Sequence, residues 1–453
     1  MASLPLMVIV LAAGMGTRMK SNMAKVLHPI GHKPMVGHVI DLAAQMGADA
    51  MAVVIAPDNP TLEDVVRAHF SGAEIFEQKD RLGTAHAVAQ AKAAFEGREG
   101  AVLVLYGDTP LLTEPALSGL LSELEAGADV GVLGFHAADA TGYGRLLVDD
   151  TGALTAIREE KEASDAEKAV TFCNSGVMGF RAEVMGALLD QIGNDNAKGE
   201  YYLTDAVEVA RARGLKTFAS VCAEDEVLGV NDRVQLSEAE SLFQARARRE
   251  AQRAGCSLLA PETVYFSHDT QIGRDVIIEP HVIFGPGVVI EDGARIFGFS
   301  HLEATHIGAG AMVGPYARLR PGAAIGEGAK IGNFVEVKQA DIQAGAKVNH
   351  LTYIGDAVIG SGANIGAGTI TCNYDGFFKH KTVVGAGAFV GSNTSLIAPV
   401  AVGAGAYIGS SSVISEDVEA DGLAVTRPER RVVPGWAKRY RAKQKAKKAA
   451  QKS

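Results

Sequence analysis

The sequence predicts two folds in one chain: an α/β domain built on a mostly parallel sheet, then an all-β parallel β-helix, with a helix joining them. Over residues 1–230 continuous apolar runs alternate with stretches of helical period, the signature of repeated βαβ units. From about Ile307 to Ile414 a branched apolar residue instead returns every six positions. Six is neither a helical nor a simple strand period, so this half is a repeat rather than one element. Between the halves, Asp232 to Gly255 is rich in Glu, Arg, Gln and Ala, holds no Pro, and ends on a Gly suited to stop a helix. The expected domains are therefore residues 1–230, a linker helix at 231–255, and residues 256–453.

Composition sets the outer bounds. With 453 residues, 47% of them apolar, the chain can fill two cores and is not globally disordered. Its four cysteines (Cys173, Cys222, Cys256, Cys372) are far apart with no paired ligand spacing, which argues against a disulfide framework or a zinc site and suits a reducing cytoplasm. The apolar run Leu4–Ala13 has no basic residue before it and no cleavage pattern, so no signal peptide is expected. No run is long enough to span a bilayer, and no membrane partner is expected. The net charge of −10 is uneven: from Arg427 onward eleven Lys and Arg face one Glu, leaving −20 on residues 1–426. An acidic body argues against nucleic acid as a partner, and the basic terminus reads as a solvated segment.

In the first half, strands are expected at Leu6–Ala12, Ala52–Ile55 and Ala101–Leu105, with helices at Val36–Met46 and Ala85–Phe95. Ligands of such a sheet lie beyond the carboxyl ends of its strands. The first strand ends in LAAGMGTRM, Leu11 to Met19, with Lys25 beyond it. A Gly-rich turn entering a helix aims backbone N–H groups at one point, and Arg18 and Lys25 add formal charge suited to a triphosphate. Met19 stands where a dinucleotide fingerprint needs a third Gly, and the Gly-Lys-Ser/Thr of a Walker loop is absent, so a plain tight turn also fits. A later strand delivers Asp108 into a turn in VLVLYGDTPLL, as a helix cap, an ion-pair partner or a ligand for a phosphate-bridging magnesium ion.

In the second half, Ile307, Val313, Leu319, Ile325, Ile331 and Val337 keep the six-step register, and Val384, Val390, Leu396, Val402, Ile408 and Ile414 resume it. Two positions before most of these stands a small residue, as at Ala311, Ala323, Ala388 and Ser412. Each short strand is expected to turn its branched side chain into a central stack while the small residue fits a tight corner. From Cys256 to His306 the spacing is ragged (Ile272, Ile277, Ile283, Val289, Ile296), as expected of terminal coils. After Ile365 the register is suspended, and GAGTITCNYDGFFKHK holds Asn373, Tyr374 and Lys379. Irregular loops ejected from a compact repeat are commonly functional. Just upstream, NHLTYIGD carries His350 and Tyr353. A purely structural solenoid is the competing reading.

The motifs LAAGMGTRM with Lys25, QKDRLGTAHAV, YGDTPLL, TGYGR, EEK, NSG, EYYLTD and GVND follow the order found in sugar-1-phosphate nucleotidyltransferases, which the first half resembles. The segments RLRPG, GNFVEVK, NHLTYIGD, GANIGAGT, CNYDG and VGSNT, from Arg318 to Thr394, resemble hexapeptide-repeat acetyltransferases. Joined in one chain, the two halves resemble a family of bacterial bifunctional enzymes. These acetylate glucosamine 1-phosphate with acetyl-CoA, then transfer uridylyl from UTP to the N-acetylglucosamine 1-phosphate, a cytoplasmic route to cell-wall and envelope sugars. The resemblance implies a Rossmann-like first domain, a left-handed β-helix despite the usual right-handed crossover, and a homotrimer whose acetyltransferase sites are shared between subunits.

By the same resemblance, Leu11, Ala13 and Gly14 would hold the nucleotide, Arg18 and Lys25 its phosphates, and Gln78, Gly83 and Thr84 the uracil, with Tyr106 in the same site. Gly144, Glu159 and Asn174 would hold the sugar, and Asp108 and Asn231 would ligate Mg2+. The attacking sugar phosphate is already an anion, so positioning and charge neutralisation suffice for this step. In the second half His350 would be the general base, because an amino sugar must lose a proton before it attacks a thioester. Arg320, Lys338, Tyr353 and Asn364 would hold the sugar phosphate, and Glu336 would orient His350. Asn373 and Tyr374 would lie near the acetyl group, and Ala367, Ser392, Ser410 and Arg427 would line the coenzyme A path. The chain departs from the family pattern at Ala24, usually Pro, and at Asn349, usually Gly. Two other classes compete. A catalytically silent nucleotidyltransferase on a trimerising scaffold would not release pyrophosphate from UTP. A single-activity nucleotidyltransferase with a regulatory or structural β-helix would not turn over acetyl-CoA.

Overall fold

A computed structural model describes residues 4–196, 198–427 and 429–451. The chain divides into two compact units, residues 1–250 with 266–268, and residues 251–265 with 269–453.

The first unit is organised on one sheet. Its strands are β1 (Leu6–Ala12), β2 (Ala50–Ile55), β3 (Glu74–Glu77), β4 (Ala101–Tyr106), β5 (Val130–His136), β6 (Arg145–Val148), β7 (Leu154–Arg158), β8 (Phe172–Arg181) and β9 (Thr217–Cys222). Their order is β9-β5-β8-β4-β1-β2-β3, with the β6–β7 hairpin attached to β8 through Arg145 and Cys173. Strand β8 runs antiparallel to β4 and β5, whereas β1, β2, β3 and β4 run parallel to one another, as do β5 and β9. Both faces are covered, which is why the strands read as continuous apolar runs. Val8 and Val10 enter one apolar layer with helix α1 (Met35–Gln45), and Met7 and Ile9 enter the other with α2 (Thr84–Gln90). The helix expected over Ala85–Phe95 breaks at Ala91, and a separate turn covers Lys92–Phe95. The connecting helix is α3 (Arg233–Arg253), and all but its last turn belongs to this unit. Its Gln244 side chain is buried and exchanges two hydrogen bonds with the Phe266 backbone, at 2.7 and 2.8 Å.

The second unit is a parallel β-helix. One ladder climbs through ten short strands from Ser257–Leu258 to Leu423–Ala424, and a second runs beside it. Thr305 bonds to the Ala323 carbonyl eighteen positions on, so three six-residue steps make one coil. The six-step residues form the buried stack as expected: Ile307, Val313, Val337, Val384, Val390 and Leu396 are fully enclosed, and so are Ala311, Ala388 and Ser412 at the corners. Two differences emerge. The first coils are not ragged, because the inward residues are Ile278, Phe284, Ile290, Ile296 and Leu302, again six apart and buried. Each of Ile277, Ile283 and Val289 precedes the inward residue by one and lies partly or fully exposed, which disguised the register. The register also persists beyond Ile365 to Thr371, which is 1% exposed and accepts a hydrogen bond from the Gly355 N–H at 2.8 Å. Being polar, Thr371 is invisible to an apolar pattern. Beyond the last coil, helix α4 (Trp436–Ala450) is exposed along its length. Among the described residues, no helix is long and apolar enough to cross a membrane.

Candidate active sites

The carboxyl end of β1 opens into a cavity of about 450 Å3. Beyond Gly14 the chain turns through Gly16, at φ 59°, where an added Cβ would come within 2.6 Å of the Lys25 Cβ. Only Gly allows the loop to fold so closely over that lysine. Lys25 is consequently buried, and its ammonium lies between the Asp108 carboxylate and the Asn231 amide oxygen, 3.1 Å from the latter. Asp108 follows the end of β4, and the Val230 N–H bonds to its carbonyl at 2.9 Å, which ties the Asp108 turn to the Asn231 segment. Two oxygens from distant parts of the sequence thus converge on one positive charge. A carboxylate and an amide oxygen suit magnesium, which keeps most of its shell for water and phosphate. No cluster of three or more His, Cys, Asp or Glu able to hold a metal occurs among the described residues.

The far wall of the cavity is made by two loops pinned together. Gly83, at φ 114°, would bring a Cβ within 2.4 Å of the Tyr201 carbonyl, and the Tyr201 N–H bonds to Leu82 at 2.7 Å. Thr84 Oγ1 accepts the Leu203 N–H at 2.9 Å, and the buried Gln78 amide donates to the Gly83 carbonyl at 3.1 Å. Elsewhere along the lining the Asn174 N–H bonds to the Gly144 carbonyl at 2.8 Å, where β8 slips register before Met178. Burial pushes the Glu159 carboxyl up, against the opposing pull of Lys198. Burial and the Asp108 carboxylate push the Tyr106 phenol far above its ordinary range.

Of the residues singled out from sequence, Leu11, Ala13, Gly14, Lys25, Gln78, Gly83, Thr84, Tyr106, Asp108, Glu159 and Asn174 line this cavity. Asn231 joins it through Lys25, and Gly144 through Asn174. Arg18 is exposed on the turn Thr17–Met19, outside the lining. Arg81, Lys198 and Tyr202 line the cavity without having been singled out. Arg81 donates from Nε to the Ala13 carbonyl at 3.2 Å, and its place inside the Gln78–Val88 motif was the available signal. Ala24 has φ −56° and ψ 138°, a conformation that proline also adopts, so its departure from the family pattern leaves the backbone path intact.

In the β-helix, β10 (Lys330–Asn333) and β12 (Lys347–His350) are neighbours in one ladder, and Asn333 pairs with His350. His350 Nδ1 lies 2.6 Å from Asn333 Oδ1. An amide oxygen only accepts, so Nδ1 carries a proton, and in the neutral ring the lone pair falls on Nε2. Glu336 starts strand β11 (Glu336–Ile342), and its carboxylate pairs with Arg320 at 2.8 Å. Asn349 is absent from the residues with positive φ, so a non-glycine residue sits there without strain. Above His350, the Gly368 N–H bonds to the His350 carbonyl, Asn393 to Ala367 and Ser411 to Ser392. Ala367, Ser392 and Ser410 therefore rise in successive coils along one corner.

Strand β13 (Tyr353–Ile359) begins round that corner, with Asn373 donating to Asp356 at 2.5 Å and reaching the Tyr353 hydroxyl at 3.5 Å. Lys379 crowds Lys338 and pulls its pKa down, with Arg320 adding to the effect. Sequence reasoning placed Lys379 in the ejected loop without a role, and the structure brings it to this cluster. Asn364 sits between Lys347 and Phe389 in the ladder. Tyr374 is exposed, its hydroxyl bonded to Gly376, and Arg427 is exposed past the last strand.

A cavity at the strand ends of a mostly parallel sheet, followed by a histidine-bearing β-helix, suits a nucleotidyltransferase joined to a hexapeptide-repeat transferase. The model of the MobA-like NTP transferase domain matches residues 8–176, and the bacterial transferase hexapeptide model (six repeats) matches residues 304–339. The Bifunctional protein GlmU of Azorhizobium caulinodans is 57% identical over 98% of both chains, and that of Xanthobacter autotrophicus 54% over 98% of both. The GlmU of Rhodopseudomonas palustris is 57% identical over 96% of both chains. The chain belongs to the GlmU family of bifunctional proteins.

Proposed function

We propose that this chain makes UDP-N-acetylglucosamine in two steps at two sites: acetyl transfer from acetyl-CoA to glucosamine 1-phosphate, then uridylyl transfer from UTP to the product. The observation that carries the reading is the convergence of Lys25, Asp108 and Asn231 at a cavity whose other wall bears Glu159 and Asn174. In the uridylyl step an oxygen of the sugar phosphate attacks the α-phosphorus, and the bond to pyrophosphate breaks. Lys25 neutralises phosphate charge once it leaves Asp108, and Glu159 and Asn174 orient the sugar. Asp108 and Asn231 would hold Mg2+, which supplies positive charge for the departing pyrophosphate when bound. In the acetyl step His350 Nε2 accepts the proton of the amine as nitrogen attacks the thioester carbonyl and the coenzyme A thiolate leaves, a role worth about 10²- to 10⁴-fold in rate. Arg320, Lys338 and Tyr353 hold the sugar phosphate, and the column of Ala367, Ser392 and Ser410 guides the coenzyme. A homotrimer in the cytoplasm completes the proposal, with the β-helix as the assembling element.

The test is one assay with glucosamine 1-phosphate, acetyl-CoA, UTP and magnesium, following free thiol and pyrophosphate separately. Both are expected, with pyrophosphate dependent on prior acetylation. Asp108→Ala should abolish pyrophosphate release from pre-acetylated sugar and spare thiol release, and His350→Ala should do the reverse. Loss of both activities in either folded variant would refute the two-site assignment.

A further inference from the structure

We infer that Asn333 is the positioning residue of acetyl transfer, which fixes the proton of His350 on Nδ1 and so presents Nε2 as the base. The inference rests on the reading of His350 as that base. It stands on four contacts of one corner. Asn333 and His350 are ladder partners, so the amide oxygen is held directly beside the imidazole at 2.6 Å. The Leu351 N–H bonds to the Asn333 carbonyl at 3.0 Å, and the chain turns at Leu351 with φ 51°. The Thr352 hydroxyl and the Gly368 N–H both bond to the His350 carbonyl, at 2.6 and 3.2 Å. The backbone of His350 is thereby clamped from the coil below, from its own turn and from the coil above. The remaining freedom is ring orientation and tautomer, and the Asn333 side chain removes both.

An amide suits this task better than a carboxylate. It selects the Nδ1–H tautomer without placing a negative charge beside the ring. The charged groups on the strands packed around it do not replace that control. Lys330 and Lys347 precede the pair on their own strands, Glu336 is taken up by Arg320, and Tyr353 stands three residues on in β13.

The test compares Asn333→Ala and Asn333→Asp with His350→Ala in the full-length protein, with the far-ultraviolet circular dichroism and the melting of each preparation reporting the folding of its β-helix. Asn333→Ala is expected to lower kcat for acetyl transfer by about 10²-fold through misorientation. Asn333→Asp keeps an acceptor on Nδ1–H; it should recover much of that rate and move the acidic limb of the kcat/KM profile upward by about a pH unit or more. A purely structural asparagine would change rate or yield without moving that limb. An unmoved limb in Asn333→Asp, or a wild-type acetylation rate in Asn333→Ala, overturns the inference while leaving His350 as the base. Should His350→Ala keep its acetyl transfer, the underlying reading falls as well.

Discussion

Single residues carry much of the chemistry, and two of them make claims on stability. Ala24 already has the backbone angles of a proline, so Ala24→Pro restricts the unfolded chain without straining the folded one. It should stabilise the first unit by about 0.4–1 kcal/mol, read from denaturant midpoints, with uridylyl transfer intact. His38 is held neutral: burial, opposed by its hydrogen bond to the Ile30 carbonyl and aided by Lys33 and His268, lowers its pKa to about 4. The unfolded chain protonates this ring near pH 6.5. Between about pH 6.5 and 4 the unfolded state therefore binds more protons, and stability is lost as pH falls through that window. His38→Gln keeps a neutral donor in place, so its melting temperature should fall less between pH 7 and pH 5 than that of the parent. Equal slopes would mean that His38 titrates alike in both states. The loop residues Gly14, Lys25 and Asp108 were legible because strand-end position and charge mark them. The grip of Lys25 on Asp108 was not, since it joins segments that only the folded sheet brings together.

At the scale of elements, periodicity exposed the solenoid, and its blind spots have physical causes. A buried stack tolerates a hydroxyl that bonds within the wall, so Thr371 continues a register that apolar counting loses. Paired apolar residues such as Ile283 and Phe284 conceal which of the two faces inward. Asn333 lay inside the quoted GNFVEVK segment but was given no role, because a polar residue at a solenoid corner is ordinary until its ladder partner is known to be His350. The stack itself makes a quantitative claim. Ile331, 1% exposed, loses packing above and below on truncation. Ile331→Ala should cost about 2–5 kcal/mol in the unfolding of the β-helix. The same change at the outward Lys330 should stay within about 0.5 kcal/mol.

Across the whole molecule, sequence position and compact unit do not coincide. Residues 266–268 belong to the first unit although they follow the start of the second. Phe266 is 3% exposed and bonded to Gln244, and the His268 N–H bonds to the Gly31 carbonyl at 2.9 Å. No composition shift announces so short a return. A fragment ending at residue 250 forfeits these contacts, whereas one ending at 268 keeps them. Both are expected to release pyrophosphate, but the longer should melt higher, by an amount that reflects burial of one phenylalanine, about 1.5–3 kcal/mol. Equal melting temperatures would show the return to be ornamental.

The stacked coil has a further consequence, of a geometric kind. Since each turn of the β-helix touches only its neighbours and adds one strand spacing of about 4.8 Å, the element is a ruler graduated in whole coils. Inserting or excising a complete turn before β10 would change the reach of the chain by that unit. The Asn333–His350 corner, defined by adjacent turns, would keep its own dimensions. Length and chemistry are thus set by different graduations of the same column and can vary independently.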